Sequence, residues 1–312
     1  MKVSYKVPAT TSNLGPGFDC LGMALPIYNT ITIEETVMPS TGIEINVMKD
    51  VENAELLELD SIPQDKDNIV LKAVEMLYNL VGQDANELKI NINTNIPIAR
   101  GLGSSASVIV GGLLCANELL GFPADEAALL SIATEAEGHP DNVAPALLGG
   151  LVMSSMEDDG SIIYRKLNWP DEWQLTICVP DFELATNISR SVLPDMVSLA
   201  DASFNSRKLA MLIQAINTCD KKLLKSAIED RLHQPYREKL IPGFKEICSA
   251  FKHEENVLGT VISGAGPSIL IISEKNSLDK IKNKVKDIWN DFNINSEIMA
   301  LNVEQNGAMK VE

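Results

Sequence analysis

One segment constrains the fold of this chain more than any other: Pro97-Ile98-Ala99-Arg100-Gly101-Leu102-Gly103-Ser104-Ser105-Ala106. Before it, residues 88–96 put Leu88, Ile90, Ile92 and Ile96 on one side, the period-2 pattern of a strand. After it, Ala106, Ile109, Val110, Leu113, Leu114 and Leu120 recur near helical spacing, and Gly121 closes the run. The glycines let the backbone turn sharply and approach a ligand closely. The first helical N–H groups have no internal acceptor and lie at the positive end of the helix dipole. Such a turn suits a di- or triphosphate. Ser104 and Ser105 add hydroxyls, one for a phosphate and the other for a metal. No Gly-Lys-Ser/Thr follows, so this is not a Walker A loop, and the third glycine of a dinucleotide fingerprint is missing. A serine-capped helix after a glycine turn is the bland alternative. The flanking strand, the helix and Pro97 favour phosphate binding.

Net charge bears on such a site. The 312 residues hold 26 Lys and Arg against 43 Asp and Glu, a balance of −17. That disfavours nucleic acid and anionic membrane as partners. It also means that phosphate charge must be met by backbone N–H groups, a few placed cations and a metal ion. Apolar residues make up 45%, enough for a sizeable core in one large or two ordinary domains. Cys20, Cys115, Cys178, Cys219 and Cys248 are dispersed without a C-x-x-C pair, which argues for reduced thiols rather than disulfides or zinc. No signal-peptide h-region and no bilayer-spanning apolar run is found, so a cytoplasmic protein is expected.

Along the chain, residues 2–7, 27–34 and 42–48 read as strands and 68–81 as a helix. A second helix after the glycine loop covers about 124–136. Residues 139–142 read as a loop. A strand then follows Gly149-Gly150, turns at Asp158-Asp159-Gly160 and returns through Leu167. The second half runs strand 173–179, helices 198–218, 221–231 and 244–252, strands 257–263 and 268–273, helix 277–290 and strand 294–303. With the first crossover collapsed this is β-α-β-β-α-β, a split βαβ arrangement. The expected class is α+β with two domains, 1–168 and 169–312.

Three motifs carry a family resemblance. They are Pro8-Ala9-Thr10-Thr11-Ser12-Asn13-Leu14-Gly15-Pro16-Gly17-Phe18-Asp19, the phosphate loop, and Ser263-Gly264-Ala265-Gly266-Pro267-Ser268. In this order they resemble the galactokinase, homoserine kinase, mevalonate kinase and phosphomevalonate kinase (GHMP) superfamily over essentially the whole chain. Glu137-Gly138-His139-Pro140-Asp141-Asn142-Val143-Ala144-Pro145-Ala146, Thr186-Asn187-Ile188-Ser189-Arg190 and Pro235-Tyr236-Arg237 resemble its homoserine kinase branch. The resemblance implies an N-terminal part like ribosomal protein S5 domain 2, a ferredoxin-like C-terminal part and a cleft between them. It also implies transfer of the ATP γ-phosphate to the side-chain hydroxyl of L-homoserine, a step towards L-threonine, and a possible homodimer.

The resemblance implies roles as well. Residues Pro97 to Ser107 (with Arg100, Ala106 and Ser107 included) would bind ATP, with Asn68 at the adenosine end or acting only as a helix cap. Ser105 and Glu135 would hold Mg²⁺, with Glu137 as the rival ligand. Asn13, Asp19, His139, Asp141, Asn142, Arg190, Arg237 and Gly264 would bind the amino acid. Its ammonium needs a carboxylate, and its carboxylate suits the guanidinium fork of Arg190 and Arg237. Glu135, Thr186, Arg190 and Asp141 are the expected catalytic residues, Asp141 as substrate ligand first and base second. The alternatives are another kinase of the superfamily, acting on threonine, mevalonate or an isoprenoid alcohol, and a nucleotide-binding protein without transfer activity.

Overall fold

The computed structural model describes residues 1–35, 42–49, 59 and 62–311. The chain opens with strands β1 (Lys2–Asn13) and β2 (Gly17–Glu35), a long antiparallel hairpin turned by Leu14, Gly15 and Pro16. Next come β3 (Glu44–Lys49), α1 (Ile69–Leu80), β4 (Leu88–Thr94), α2 (Ser104–Leu119), α3 (Glu126–Glu137), α4 (Pro140–Leu148), β5 (Leu151–Met156) and β6 (Ile162–Leu167). The rest is β7 (Trp173–Pro180), α5 (Thr186–Ser191), α6 (Leu199–Thr218), α7 (Lys221–Ala227), α8 (Gln234–Arg237), α9 (Phe244–Phe251), β8 (Val257–Ile262), β9 (Ile269–Glu274), α10 (Leu278–Asp291), β10 (Ser296–Leu301) and β11 (Met309–Lys310).

Among the described residues these strands make two sheets. In the first, β11-β1-β2-β4-β3 lie in order and β5 pairs with β2 and then β6. In the second the order is β10-β7-β9-β8, antiparallel throughout, as the split βαβ reading expects. The fold is therefore α+β in two parts. The chain passes from first sheet to second between Leu167 and Trp173, and β11 returns to pair with β1.

Local chemistry explains most elements. Asn68 caps α1 by accepting the Val70 N–H at 2.9 Å, and Val70, Leu71, Val74 and Leu77 bury one face. Helix α2 is apolar on nearly every side because α1, α3, α4 and the first sheet surround it. The second sheet is covered on both faces. Leu175, Ile177 and Val179 share a core with Leu21, Met23 and Leu25 of the first hairpin, while Cys178, Ile269 and Ile271 pack with α9 and α10. One side of β7 thus joins the two halves, and the other faces the helices of its own half.

The expected loop at 139–142 is instead the start of α4. Gly138, at φ 92°, ends α3, and Pro140 begins α4 at a position whose N–H would have no helical acceptor anyway. Among the described residues, no helix is long and apolar enough to cross a membrane.

Candidate active site

The three motifs meet backbone to backbone. Gly101 takes φ 69°, and a methyl group there would lie 2.1 Å from the Ser263 carbonyl oxygen. The Ser263 hydroxyl donates to the Gly101 carbonyl at 2.7 Å and pairs with Thr11 Oγ1 at 2.8 Å. The Gly264 N–H donates to the Ser12 carbonyl, and the Gly264 carbonyl accepts from Asn13 Nδ2 at 2.8 Å and Arg237 Nη1 at 3.0 Å. These contacts frame a cavity of about 360 Å³.

The phosphate loop and the head of α2 form one end of it. Residues Pro97 to Ser105 and Asn68 line the cavity. Asn68 uses its carbonyl oxygen on the Val70 N–H and its amide N–H on the Pro63 carbonyl, so its side chain acts as the cap. Ala106 and Ser107, expected with the rest of the loop, do not line the cavity. Ala106 is buried in the core, and the Ser107 hydroxyl is occupied by the Ser104 carbonyl and Asn29 Nδ2. The guanidinium of Arg100 also departs from expectation. It donates to the carbonyls of Pro180, Ile98 and Asp181 and pairs with Glu183 at 3.4 Å. Together with the Leu184 N–H to Ala99 carbonyl bond, it ties the loop to the end of β7.

The structure does not bring Glu135, the expected metal ligand, to the cavity. It is exposed and lies outside the cavity, whereas Glu137 lines it and accepts a 2.7 Å hydrogen bond from the Ser105 hydroxyl. A helix turns about 100° per residue, so positions 135 and 137 face nearly opposite directions. Burial pushes the Glu137 carboxyl up from the ordinary glutamate range, while the Ser105 hydroxyl and the charge of His139 pull it down less strongly. Two hard oxygen donors beside the α2 N-terminus fit a Mg²⁺ ion, which prefers few protein ligands and phosphate oxygens.

The other end of the cavity holds opposed charges. Asp19 and Arg190 form a two-pronged ion pair, Nη2 to Oδ1 at 2.7 Å and Nη1 to Oδ2 at 3.2 Å. His139 Nδ1 meets Asp141 Oδ1 at 2.5 Å, and ligand atoms of Asp19, His139 and Asp141 lie within 4.8 Å of one another. Burial alone would lower the pKa of His139, but the hydrogen bond and charge of Asp141, with Glu137 adding, raise it. Arg237 is buried and lines the same end, and Thr186 opens α5 beside it. Asn13 and Asn142 line the cavity but serve as frame. Asn13 accepts the Asp19 N–H, and Asn142 accepts from Thr10 Oγ1 at 2.7 Å while donating to Ser12 Oγ at 3.0 Å.

Known proteins resemble this chain in sequence and in fold. The GHMP kinases N terminal domain family matches residues 68–150, and the GHMP kinases C terminal family matches 212–291. A homoserine kinase of Synechococcus sp. is 40% identical over 303 residues, 96% of each chain. The chain belongs to the homoserine kinase family of GHMP kinases. A homoserine kinase of Caldicellulosiruptor saccharolyticus is 39% identical over 98% of this chain and 96% of its own. The crystal structure of homoserine kinase from Cytophaga hutchinsonii superposes with a TM-score of 0.86 at 28% identity, over 99% of this chain and 97% of that one. A mevalonate kinase structure, at 17% identity and TM-score 0.64, shares the fold.

For this member of the homoserine kinase family, sequence reasoning passed over Thr10, Ser12, Phe18 and His233. Thr10 and Ser12 lie within the first motif, where the unbroken run of hydroxyl residues Thr10 to Ser12 was the available signal. Phe18 stacks on His233, and neither had a spacing that marked it.

Proposed function

We infer that this chain transfers the γ-phosphoryl group of ATP to the side-chain hydroxyl of L-homoserine, giving O-phospho-L-homoserine on the route to L-threonine. One observation carries the reading. The cavity has a phosphate loop at one end and, at the other, two carboxylates and two guanidiniums. That second end matches a zwitterion, whose ammonium would go to Asp19 and Asp141 and whose carboxylate would go to Arg190 and Arg237. The Asp19–Arg190 pair would open as each partner takes the oppositely charged end of the substrate.

Phosphoryl transfer needs alignment and charge neutralisation more than covalent chemistry. Gly103, Ser104 and Ser105 open α2 and line the cavity end where the phosphates would lie, and the first N–H groups of a helix have no helical acceptor of their own. Ser105 and Glu137 would hold Mg²⁺, which when bound neutralises charge on the phosphate oxygens. Thr186 would steady the hydroxyl or the transferring group. Asp141 Oδ1 is already occupied by His139 Nδ1 and by the Asn142 amide, which donates to it. It therefore acts as an ammonium ligand, and the hydroxyl proton passes late to a phosphate oxygen.

Coupled-enzyme turnover with homoserine, threonine and mevalonate, each with Mg-ATP, tests the reading. Homoserine is expected to support the highest kcat/KM. Mevalonate lacks an ammonium and would leave Asp19 and Asp141 without a cation, so turnover with mevalonate and none with homoserine would refute the assignment. The two halves of the chain divide, in this proposal, as 1–168 for nucleotide and 169–312 for the walls that bring Thr186, Arg190 and Arg237.

A further inference from the structure

His233 has no part in the chemistry above, yet it is fully buried against the amino-acid end of the cavity. Its ring nitrogens have defined partners. Nε2 lies 2.9 Å from the Gly15 carbonyl oxygen, which can only accept, and Nδ1 lies 3.3 Å from Arg237 Nη1, which can only donate. Both contacts are satisfied together only by the neutral ring with its proton on Nε2. The ring stacks on Phe18 at 5.2 Å with 20° between planes. The guanidiniums of Arg237 and Arg190 lie 5.2 and 5.6 Å from the centre of the same phenyl ring. His233 therefore supports, directly or through Phe18, both cations assigned to the substrate carboxylate.

The support is itself anchored. Asp230, fully buried, accepts backbone N–H groups of Leu232, His233 and Gln234 and the Asn205 amide. Its Oδ2 stands 3.6 Å from His233 Nε2. The charged groups facing His233 are thus Asp230 from its own turn, Arg237 from α8, Asp19 from the start of β2 and, across Phe18, Arg190 from α5. Asp230 and Asp19 favour the charged ring and Arg237 opposes it, but desolvation of the buried ring is the largest influence and draws the His233 pKa below its ordinary value.

We propose that His233 is a positioning residue for Arg237 and Phe18, and that protonation of its Nδ1 turns an acceptor into a donor against Arg237 and releases the carboxylate clamp. This deepens the homoserine reading and rests on it. Acid pH would then weaken binding of the amino acid while leaving ATP binding largely alone, because the Ser263–Gly264 hairpin stands between the phosphate loop and Arg237, bonded to both.

The test combines spectroscopy with kinetics. With ¹⁵N-histidine labelling, three resonance pairs are expected, for His139, His233 and His253. His233 should show protonated Nε2 and bare Nδ1 at pH 7. A His233→Ala variant should raise KM for homoserine about tenfold or more, the equivalent of one lost hydrogen bond to a charged group, with KM for ATP moved less than about twofold. His233→Asn keeps an acceptor near the Nδ1 position. It should recover most of that loss and flatten the rise of homoserine KM at acid pH. A His233 ring protonated on Nδ1 at pH 7 overturns the proposal, as does a His233→Ala variant that is folded by circular dichroism and raises both KM values equally. If the parent enzyme does not turn over homoserine, the substrate reading has failed. The tautomer still decides the positioning claim.

Discussion

The half-buried Glu137 has its carboxyl beside Ser105, and desolvation raises its proton affinity. Its folded pKa lies above its unfolded one, so above that range the folded state carries a charge it accommodates less well than the unfolded chain does. Stability is therefore lost as pH rises from the ordinary glutamate range through the folded pKa. A neutral isostere removes that penalty. Glu137→Gln is expected to raise Tm, by about 2 °C for a chain of this size, while kcat falls about a hundredfold or more through loss of charge stabilisation. Differential scanning calorimetry and steady-state turnover read the two effects. Glu135→Ala is the contrast, since this side chain is exposed on the opposite face of α3. Its kcat should stay within about twofold and its Tm within about 1 °C. Equal losses of activity in both variants would mean that the carboxyl beside Ser105 has no special role.

At the scale of elements, the loop between β4 and α2 is shaped by the hairpin between β8 and β9. Gly101→Ala would press a methyl group against the Ser263 carbonyl in a backbone conformation that already disfavours alanine. We expect about 2 kcal/mol or more of lost stability and a joint rise in KM for ATP and homoserine, since the hairpin also carries the Gly264 carbonyl that holds Arg237. Gly121 has a similar φ of 77° but open space around it. Gly121→Ala should cost only about 1 kcal/mol and leave both KM values unchanged. Denaturant midpoints and substrate titrations separate the two. The loop, α1, β4, α2 and the second sheet were legible because glycine placement and apolar period agree with the final packing. The first hairpin was legible only in part. Thr10, Thr11, Ser12 and Asn13 are polar yet buried, so their alternation is invisible although β1 runs through them. Helices α4, α5 and α8 were hidden for a related reason. They are short, and their residues are chosen for the cavity rather than for helical periodicity. The choice between Glu135 and Glu137 needed the phase of α3 relative to Ser105, which no local pattern fixes.

On the scale of the whole molecule, the −17 charge sets how an anionic nucleotide approaches. Long-range repulsion of ATP is strongest at low ionic strength, where the Debye length is about 30 Å at 0.01 M, and falls off as it shrinks to about 8 Å at 0.15 M. A strongly positive cleft could reverse this by local focusing. The cavity is not of that kind. Arg190 and Arg237 face Asp19, Asp141 and Glu137 there, and Arg100 is turned to Glu183 and the β7 carbonyls. The attraction that remains comes from backbone N–H groups at the head of α2, which acts over a turn of helix and not over a Debye length. Raising salt across this range should therefore speed association of Mg-ATP, by about two- to fivefold, as measured by stopped-flow with a fluorescent nucleotide. Homoserine has no net charge, so its KM should change less than about twofold over the same range. A nucleotide association rate that fell with salt would show that the cleft, despite its paired charges, presents a positive face to the approaching phosphates.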